Sequence, residues 1–494
     1  MSHWTVARTL TYPRLVSLKR EPVALIFMET PLVSVVVMTL LMQSAPNRSQ
    51  QLESSTVRPG GVLQEQVAIV ASDQGGTNKC LSSPTVGEVA EGHALLDTQG
   101  VEVTQEPNTL TATVLTHETD FDAIGGEWDE LVSASCQQGV FFLRWHWNRV
   151  WWRMYAPPGS ELFLIACRDW KGTLVGLAPL YRHCRSLKGL VKVQEICFIG
   201  TGTELKTSEH LDIIARSGYQ HHVGQVVAAC IQQKTGWQRV WLWGIHASSP
   251  VLPHFTKALG DAATTRSCDR LPYVPTRTDW ATVKLGFGSN LRTNIDRYIR
   301  RIQKDYKCQF YRVRTMEQLD EFMDAFVQLH QERWQSKGEL GSFAYPNFKE
   351  FMQETVRDSF RCDRARLWML FLDGQCVAAL QAFVDRGVAH YFQGGFKSGY
   401  EKHHLGSVML ALALQDCVQA DDVDEFDYMG GGSSYKDHWT KTSHESIELE
   451  VLRTGFRPKL YAAVRYIEPG VASIYRRVIP QIVREKIRKS LGAV

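Results

Sequence analysis

Aromatic side chains stop at Phe27 and do not return until Phe121. The 93 residues from Met28 to Asp120 hold no Phe, Tyr or Trp, whereas 48 of the chain's 51 lie in the 374 residues from Phe121 onward. Residues 46–110 are rich in Ser, Thr, Gln, Gly and Glu. A stretch so poor in apolar rings cannot offset chain entropy by burial. Residues 1–109 therefore read as a disordered or non-native leader or linker. The globular part is expected to begin near Leu110, with Thr111–Leu115 as its first strand.

One segment of the leader is apolar, Val23–Met42, behind the basic residues Arg8, Arg14, Lys19 and Arg20. Its length of about 20 residues suits a membrane helix. Glu29, Thr30 and Pro31 interrupt it, and no small-x-small cleavage site follows. Three readings stay open: an N-terminal anchor, a poor export signal, or an extension from a wrongly chosen start codon.

At 494 residues the length prior is about three domains. The 44% hydrophobic and 22% charged fractions exclude a fully disordered chain, a collagen-like repeat and a multi-span membrane protein. A net charge of +3 gives no reason to expect nucleic acid as partner. The eleven cysteines form no C-x-x-C pair and are odd in number, which argues against a disulfide framework and a structural zinc site. They read as reduced thiols of a cytoplasmic protein, and no metal is expected.

The folded region runs through one programme twice. Leu162–Ala166 and Leu174–Tyr181 flank a turn at Asp169–Gly172; Leu367–Leu372 and Cys376–Val384 flank Asp373-Gly374. Asp-Gly between apolar runs is a hairpin signal. A helical, Trp-bearing stretch precedes each hairpin: Phe121–Val132 with Phe142–Trp147 in one half, Met316–Trp334 in the other. A strand follows each hairpin (Glu195–Ile199; Ala389–Gln393), then a Gly-containing loop, a helix and a further strand (Arg239–Trp243; Glu425–Met429). Each unit is thus a mixed sheet with helices packed on it. The join falls within Asp279–Tyr306, where Ser289 can cap a helix with Leu291, Ile295, Ile299 and Ile302 on one face. Arg292, Arg297, Arg300, Arg301 and Lys304 lie on the other, either as a solvated face or as a rim attracting an anion.

The second half resembles the GNAT acyltransferase family, in its branch related to the cellulose-biosynthesis protein CelD. The residues that carry the resemblance are Arg333–Gly338, Gly341–Phe343 with Phe348, the turn at 372–374, Gly394–Phe396 with Tyr400, Gly406–Leu410, and Tyr435-Lys436 with Trp439. It is strongest over 290–460 and weaker over 110–290, where Trp128 and Trp145–Trp152 fit. The resemblance implies an α/β fold of two tandem GNAT-like domains, 110–288 (degenerate) and 289–470, each a mixed, mostly antiparallel sheet flanked by helices.

It also implies direct acyl transfer from acetyl-CoA or another acyl-CoA to an amine or hydroxyl of a sugar, polysaccharide or envelope precursor. A strand–loop–helix start with Gly at the turn leaves amides free to bind phosphate. The resemblance puts the pyrophosphate at Leu405, Gly406, Ser407 and Val408, although His403 and Val408 depart from the Gln/Arg-x-x-Gly-x-Gly/Ala pattern. The first half carries Glu209–Ile213 at the corresponding place, with acids where phosphate would sit, so no cofactor is expected there. Oxyanion donors are expected from the backbone of Gln381, Ala382 and Phe383, where neighbouring strands should part. Tyr435 is the expected thiolate-protonating acid and Glu332 the expected base, with His330 second and His390 and His438 weaker. Arg333, Trp334 and Lys436 are expected to meet the substrate. Gly430–Gly432 has no Lys-Ser/Thr continuation and does not read as a nucleotide loop.

Residues 471–494 form a basic C-terminal helix in this reading. Ile474–Lys489 holds six basic residues and one acid, and Pro480 interrupts it. It suits either peripheral contact with an anionic membrane surface or docking on its own domain. Two competing functions are a Fem-like aminoacyltransferase using aminoacyl-tRNA and a non-catalytic GNAT-like scaffold in envelope polysaccharide assembly.

Overall fold

The computed structural model describes residues 66–69 and 109–465, apart from 138, 188–190, 204–205 and 433–434. The apolar segment 23–42 and the basic stretch 474–489 lie outside these residues. Within the leader, Val67-Ala-Ile69 sits in a short strand, β1 (Gln66–Ile69), which pairs antiparallel with β2 (Leu110–Leu115). The expectation of disorder over 46–110 is corrected for these four residues: a local apolar run extends the sheet edge.

The first half continues as α1 (Glu118–Ala123), α2 (Gly125–Ala134), α3 (Trp145–Tyr155), β3 (Glu161–Arg168), β4 (Leu174–Leu187), β5 (Val191–Phe198), β6 (Ile214–Ala215), α4 (Gln220–Gln233), β7 (Arg239–His246), α5 (Leu252–Leu259) and β8 (Ala263–Pro275). After α6 (Trp280–Leu285) and α7 (Ser289–Asp305) the plan repeats. It runs β9 (Cys308–Arg312), α8 (Met316–Gln335), α9 (Phe348–Arg361), β10 (Ala365–Leu372), β11 (Gln375–Asp385), β12 (Gly387–Phe396), α10 (Leu405–Gln419), β13 (Val423–Asp427) and β14 (Ser443–Leu452).

Local chemistry sets these elements. Asp373 (φ 50°) and Gly374 (φ 82°) turn the β10–β11 hairpin in the left-handed conformation that a two-residue loop requires. Thr315 and Gln318 form a reciprocal capping box that starts α8. Ser289 does not cap α7; the cap position is Gly288, and Ser289 is the first helical residue. Ile295 and Ile302 are the buried members of its apolar face.

Strand order is β1-β2-β3-β4-β5-β7-β14-β8-β13-β12-β11-β10-β9, with β6 beside β4. From β2 to β9 the order reads the same from either end. β5/β7 and β12/β13 are the parallel pairs, and the other pairings are antiparallel. The two halves exchange their last strands: β8 of the first pairs with β13, and β14 of the second pairs with β7. β8 and β14 also pair with each other from Ala263/Val451 to Pro272/Ser443. The fold is a mixed, mostly antiparallel sheet flanked by helices.

Aromatic rings fasten the halves on the helical side. Phe141 stacks on Phe383 at 4.2 Å between centroids, and Trp147 meets Phe351, Phe383 and Phe392 edge-on. Beside them, Arg144 of the first half grips Asp385 of the second through two hydrogen bonds of 2.7 and 2.8 Å, with both side chains buried. Arg364 approaches the same carboxylate at 3.4 Å. Removing one partner of a buried ion pair leaves a stranded charge. Asp385→Ala should therefore cost about 3–5 kcal/mol in urea unfolding. Arg144→Met combined with Asp385→Leu should recover more than half of that loss.

Candidate active site

Pairing between β12 and β13 ends at His390–Asp427, but β12 continues to Phe396. Beyond that pair the two parallel strands part, and the edge of β12 from Tyr391 to Gly394 has no strand partner. A cleft of about 320 Å³ opens there. Tyr391–Gly394 form one wall, Tyr428–Gly431 with Tyr435 and Lys436 the other, and Lys206–Glu209 of the first half reach in from above. His330, Arg333 and Trp334 of α8, with Lys337 just past its end, close the remaining side.

The turn after β13 is built by carboxylates. Asp427 Oδ1 accepts the Met429 amide at 2.6 Å, Glu209 Oε2 the Gly430 amide at 2.6 Å, and Asp269 Oδ2 the Gly431 amide at 2.8 Å. Met429 (φ 58°) and Gly431 (φ 100°) take the left-handed conformation. Three successive amides thus form an anion nest, filled by the protein's own acids. Lys436 Nζ donates to the carbonyls of Met429, at 2.9 Å, and Gly430. Burial lowers the Lys436 pKa, against the attraction of Glu209, Asp427 and Asp269.

Asp427 anchors a second set of bonds. His210 Nε2 lies 2.6 Å and His390 Nδ1 3.1 Å from its Oδ2, all three residues being buried. Burial alone would raise the Asp427 pKa; the two imidazoles outweigh it and hold the carboxyl far below its usual range. Burial opposes charge on His210 too, but Asp427 prevails and raises it. His210, His390 and Asp427 are close enough together to be a candidate metal cluster. The 2.6 Å contact is nevertheless the separation of a charge-assisted hydrogen bond, with a proton between the atoms.

Tyr435 is half-buried in the cleft and bonded to the Tyr391 hydroxyl; burial, then Tyr391, pushes its pKa well above 10. It is a held proton donor. Arg333 Nη1 donates to the Gly394 carbonyl at 2.6 Å, and its guanidinium lies over Phe396. Trp334 Nε1 donates to His330 Nε2 at 3.0 Å; burial pushes His330 down to about 4, so the ring is neutral with its acceptor nitrogen in use. Glu332 is not among the cleft-lining residues, and its Oε1 accepts the Ser398 amide at 2.8 Å. Glu209 is in the cleft, and burial raises its carboxyl pKa against the Gly430 amide and His210.

Two backbone expectations are corrected. Gln381, Ala382 and Phe383 do not sit where strands part: β11 is paired on both sides there, with Leu367, Arg366 and Ala365 of β10 and with Gln393, Tyr391 and His390 of β12. Their side chains are buried, and Phe383 belongs to the aromatic core. The parting lies one strand further on. At the start of α10, the amides of Ser407 and Val408 are taken by the His404 carbonyl at 2.9 and 3.0 Å. The amides of Leu405 and Gly406 have no acceptor among the described residues. A Cβ at Gly406 would stand 2.9 Å from the Phe396 ring, so only glycine fits.

A family model described as an acetyltransferase (GNAT) domain matches residues 289–437. That stretch is a GNAT-family acetyltransferase domain. Among solved structures, FemX is similar over 69% of this chain and 98% of its own, at 10% identity and a TM-score of 0.48. L-PGS from Bacillus licheniformis is similar over 69% and 95%, at 13% identity and a TM-score of 0.42. A tandem GNAT protein from the clavulanic acid biosynthesis pathway is similar over 70% and 100%, at 12% identity and a TM-score of 0.36. No curated protein matches this chain by sequence. Among the described residues no helix is long and apolar enough to cross a membrane.

Sequence reasoning missed Glu209, His210 and Tyr391. Glu209 and His210 were visible only as acids and a histidine in a loop, because their partners lie more than 200 residues away. The Asp427–His210 pair carries a pH signature. The depressed Asp427 stabilises fully above its ordinary value of 3.8 and loses this as pH falls. The raised His210 stabilises fully below its ordinary value of 6.5 and loses this as pH rises through the folded value. Asp427→Asn should cost about 3–5 kcal/mol. In Tm measured against pH, the gap from the parent should be widest between about pH 4 and 6.5 and narrow on either side.

Proposed function

We propose that this chain is an acyl-CoA-dependent acyltransferase of the CelD-like branch, transferring an acyl group directly to an amine or hydroxyl of a saccharide precursor. The observation that carries the reading is the parting of β12 from β13 beyond His390–Asp427, with a protonated Tyr435 beside the exposed strand edge. Backbone donors on that edge suit a carbonyl oxygen that gains negative charge. Glu209, with its raised pKa, is suited to take the proton from the attacking amine or hydroxyl. Tyr435 is suited to return one to the departing thiolate. Lys206, Arg333 and Lys337 line the cleft, beside a Lys436 already matched to Glu209, Asp427 and Asp269, and these three cations favour a phosphate-bearing ligand.

Acyl-CoA brings an activated thioester and a diphosphate. The free amides of Leu405 and Gly406 support the diphosphate contact, with the α7 residue Arg301 donating to the Lys402 carbonyl at 3.5 Å close by. The occupied amides of Ser407 and Val408 favour a second reading, in which aminoacyl-tRNA is the donor and only its aminoacyl end enters the cleft.

Two measurements test this. Acetyl-CoA should raise the Tm of the parent and not that of Gly406→Asp; a rise with charged tRNA alone would favour the second reading. Tyr435→Phe and Glu209→Gln should each lower kcat about 10²–10⁴-fold while leaving donor binding intact. Unchanged turnover in either would remove that residue from the chemistry.

A further inference from the structure

Two carboxylates meet over Gly430. A Cβ on that residue would stand 2.6 Å from Asp269 Oδ2 and 3.1 Å from Glu209 Oε1, so only glycine lets both acids approach it. Glu209 Oε2 accepts the Gly430 amide, and Asp269 Oδ2 the amide that follows. Two carboxylates set against one residue repel, and each disfavours the charged form of the other. Burial pushes Glu209 the same way, against the Gly430 amide, His210 and Lys436. A carboxyl that is to take up a proton must first be ionised. Glu209 therefore needs a cation.

Lys436 supplies it. Its Nζ donates to the carbonyls of Gly430 and, at 2.9 Å, of Met429. Gly430 is thus gripped at both ends, by Glu209 on its amide and by Lys436 on its carbonyl. Lys436 is 8% exposed, and the acids it faces are Glu209, Asp427 and Asp269. Although it lines the cleft, its ammonium is turned into the wall and bonded there.

The remaining charges around Glu209 leave Lys436 this task. His210, beside Glu209 in its loop, is matched by Asp427 at the end of β13, 2.6 Å away. Asp269, on β8, adds a like charge. On the cleft side stand Lys206, Arg333, Lys337 and the hydroxyl of Tyr435, open to whatever ligand enters.

We propose that Lys436 is a positioning residue for proton removal from the acceptor: from inside the cleft wall its ammonium keeps Glu209 ionised and fixes the turn that Glu209 holds, in place of a contact with substrate. The assignment rests on the reading of Glu209 as the base.

Titration of the Glu209 carboxyl in the ¹³C-glutamate-labelled full chain, its signal identified with Glu209→Gln, tests this without any acceptor. Removing a cation disfavours a carboxylate, so in Lys436→Met the midpoint should rise by about 1 pH unit. A midpoint that stays or falls would overturn the proposal. Should Lys436→Met fail to fold, Lys436→Gln, which loses the charge but keeps an N–H donor, is read the same way. With acetyl-CoA and glucosamine, the acid limb of kcat/KM should move up with the midpoint while the KM for glucosamine is unchanged. A raised KM beside an unmoved limb would make Lys436 a substrate contact instead. Unchanged turnover in Glu209→Gln would fail the base reading; lowered turnover there, with an unmoved midpoint in Lys436→Met, would fail the positioning role alone.

Discussion

The carboxylates of Asp427, Glu209 and Asp269 on three consecutive amides hold this molecule's working parts in place. Each of the three comes from a different segment: the end of β13, a first-half loop and the exchanged strand β8. Together they bend the chain after β13 away from β12, which opens the cleft. Lys436 neutralises part of this charge while holding the carbonyls of the same turn. A buried charge is tolerable only when paired and hydrogen-bonded, and here every acid has an amide or a cation facing it.

Exchange of the last strands explains why the two halves act as one body. β8 completes the sheet of the second half, and β14 that of the first. The first half therefore builds the second half's site as well as covering it. Glu209 and His210 arrive from its loop, Asp269 from its final strand. Phe141 and Trp147 seal the opposite face against Phe383 and Phe392. The first half without the second would leave Glu209, His210 and Asp269 without these partners.

Much of the fold was legible because it rests on local chemistry. The Asp373-Gly374 turn, the alternating hairpin strands, the α8 helix with its Thr315 cap and the doubled order of elements all follow from residues close in sequence. Tyr435, Arg333, Trp334 and Lys436 were also legible, and the structure gathers them around one cleft. What depended on pairing between distant segments was not. The resemblance places the parting of strands at Gln381–Phe383; register alone shows that β11 is paired on both sides there and that β12 outlasts β13. The Gly430–Gly432 turn shows in sequence only that it is no nucleotide loop; its role appears once Glu209 and Asp269, more than 150 residues upstream, are brought onto the amides of Gly430 and Gly431. Glu332 reads as a cleft residue from its place beside Arg333, yet its carboxylate holds the Ser398 amide.

The central claim is that the gap between β12 and β13 receives the donor's reactive carbonyl. A crystal structure of the Glu209→Gln chain with acetyl-CoA tests it most directly. The account predicts the thioester oxygen against the Tyr391–Gly394 edge, its sulfur within hydrogen-bond reach of the Tyr435 hydroxyl and its diphosphate at Leu405 and Gly406. A donor lodged elsewhere, with Tyr391 and Tyr435 left bonded only to each other, would contradict it.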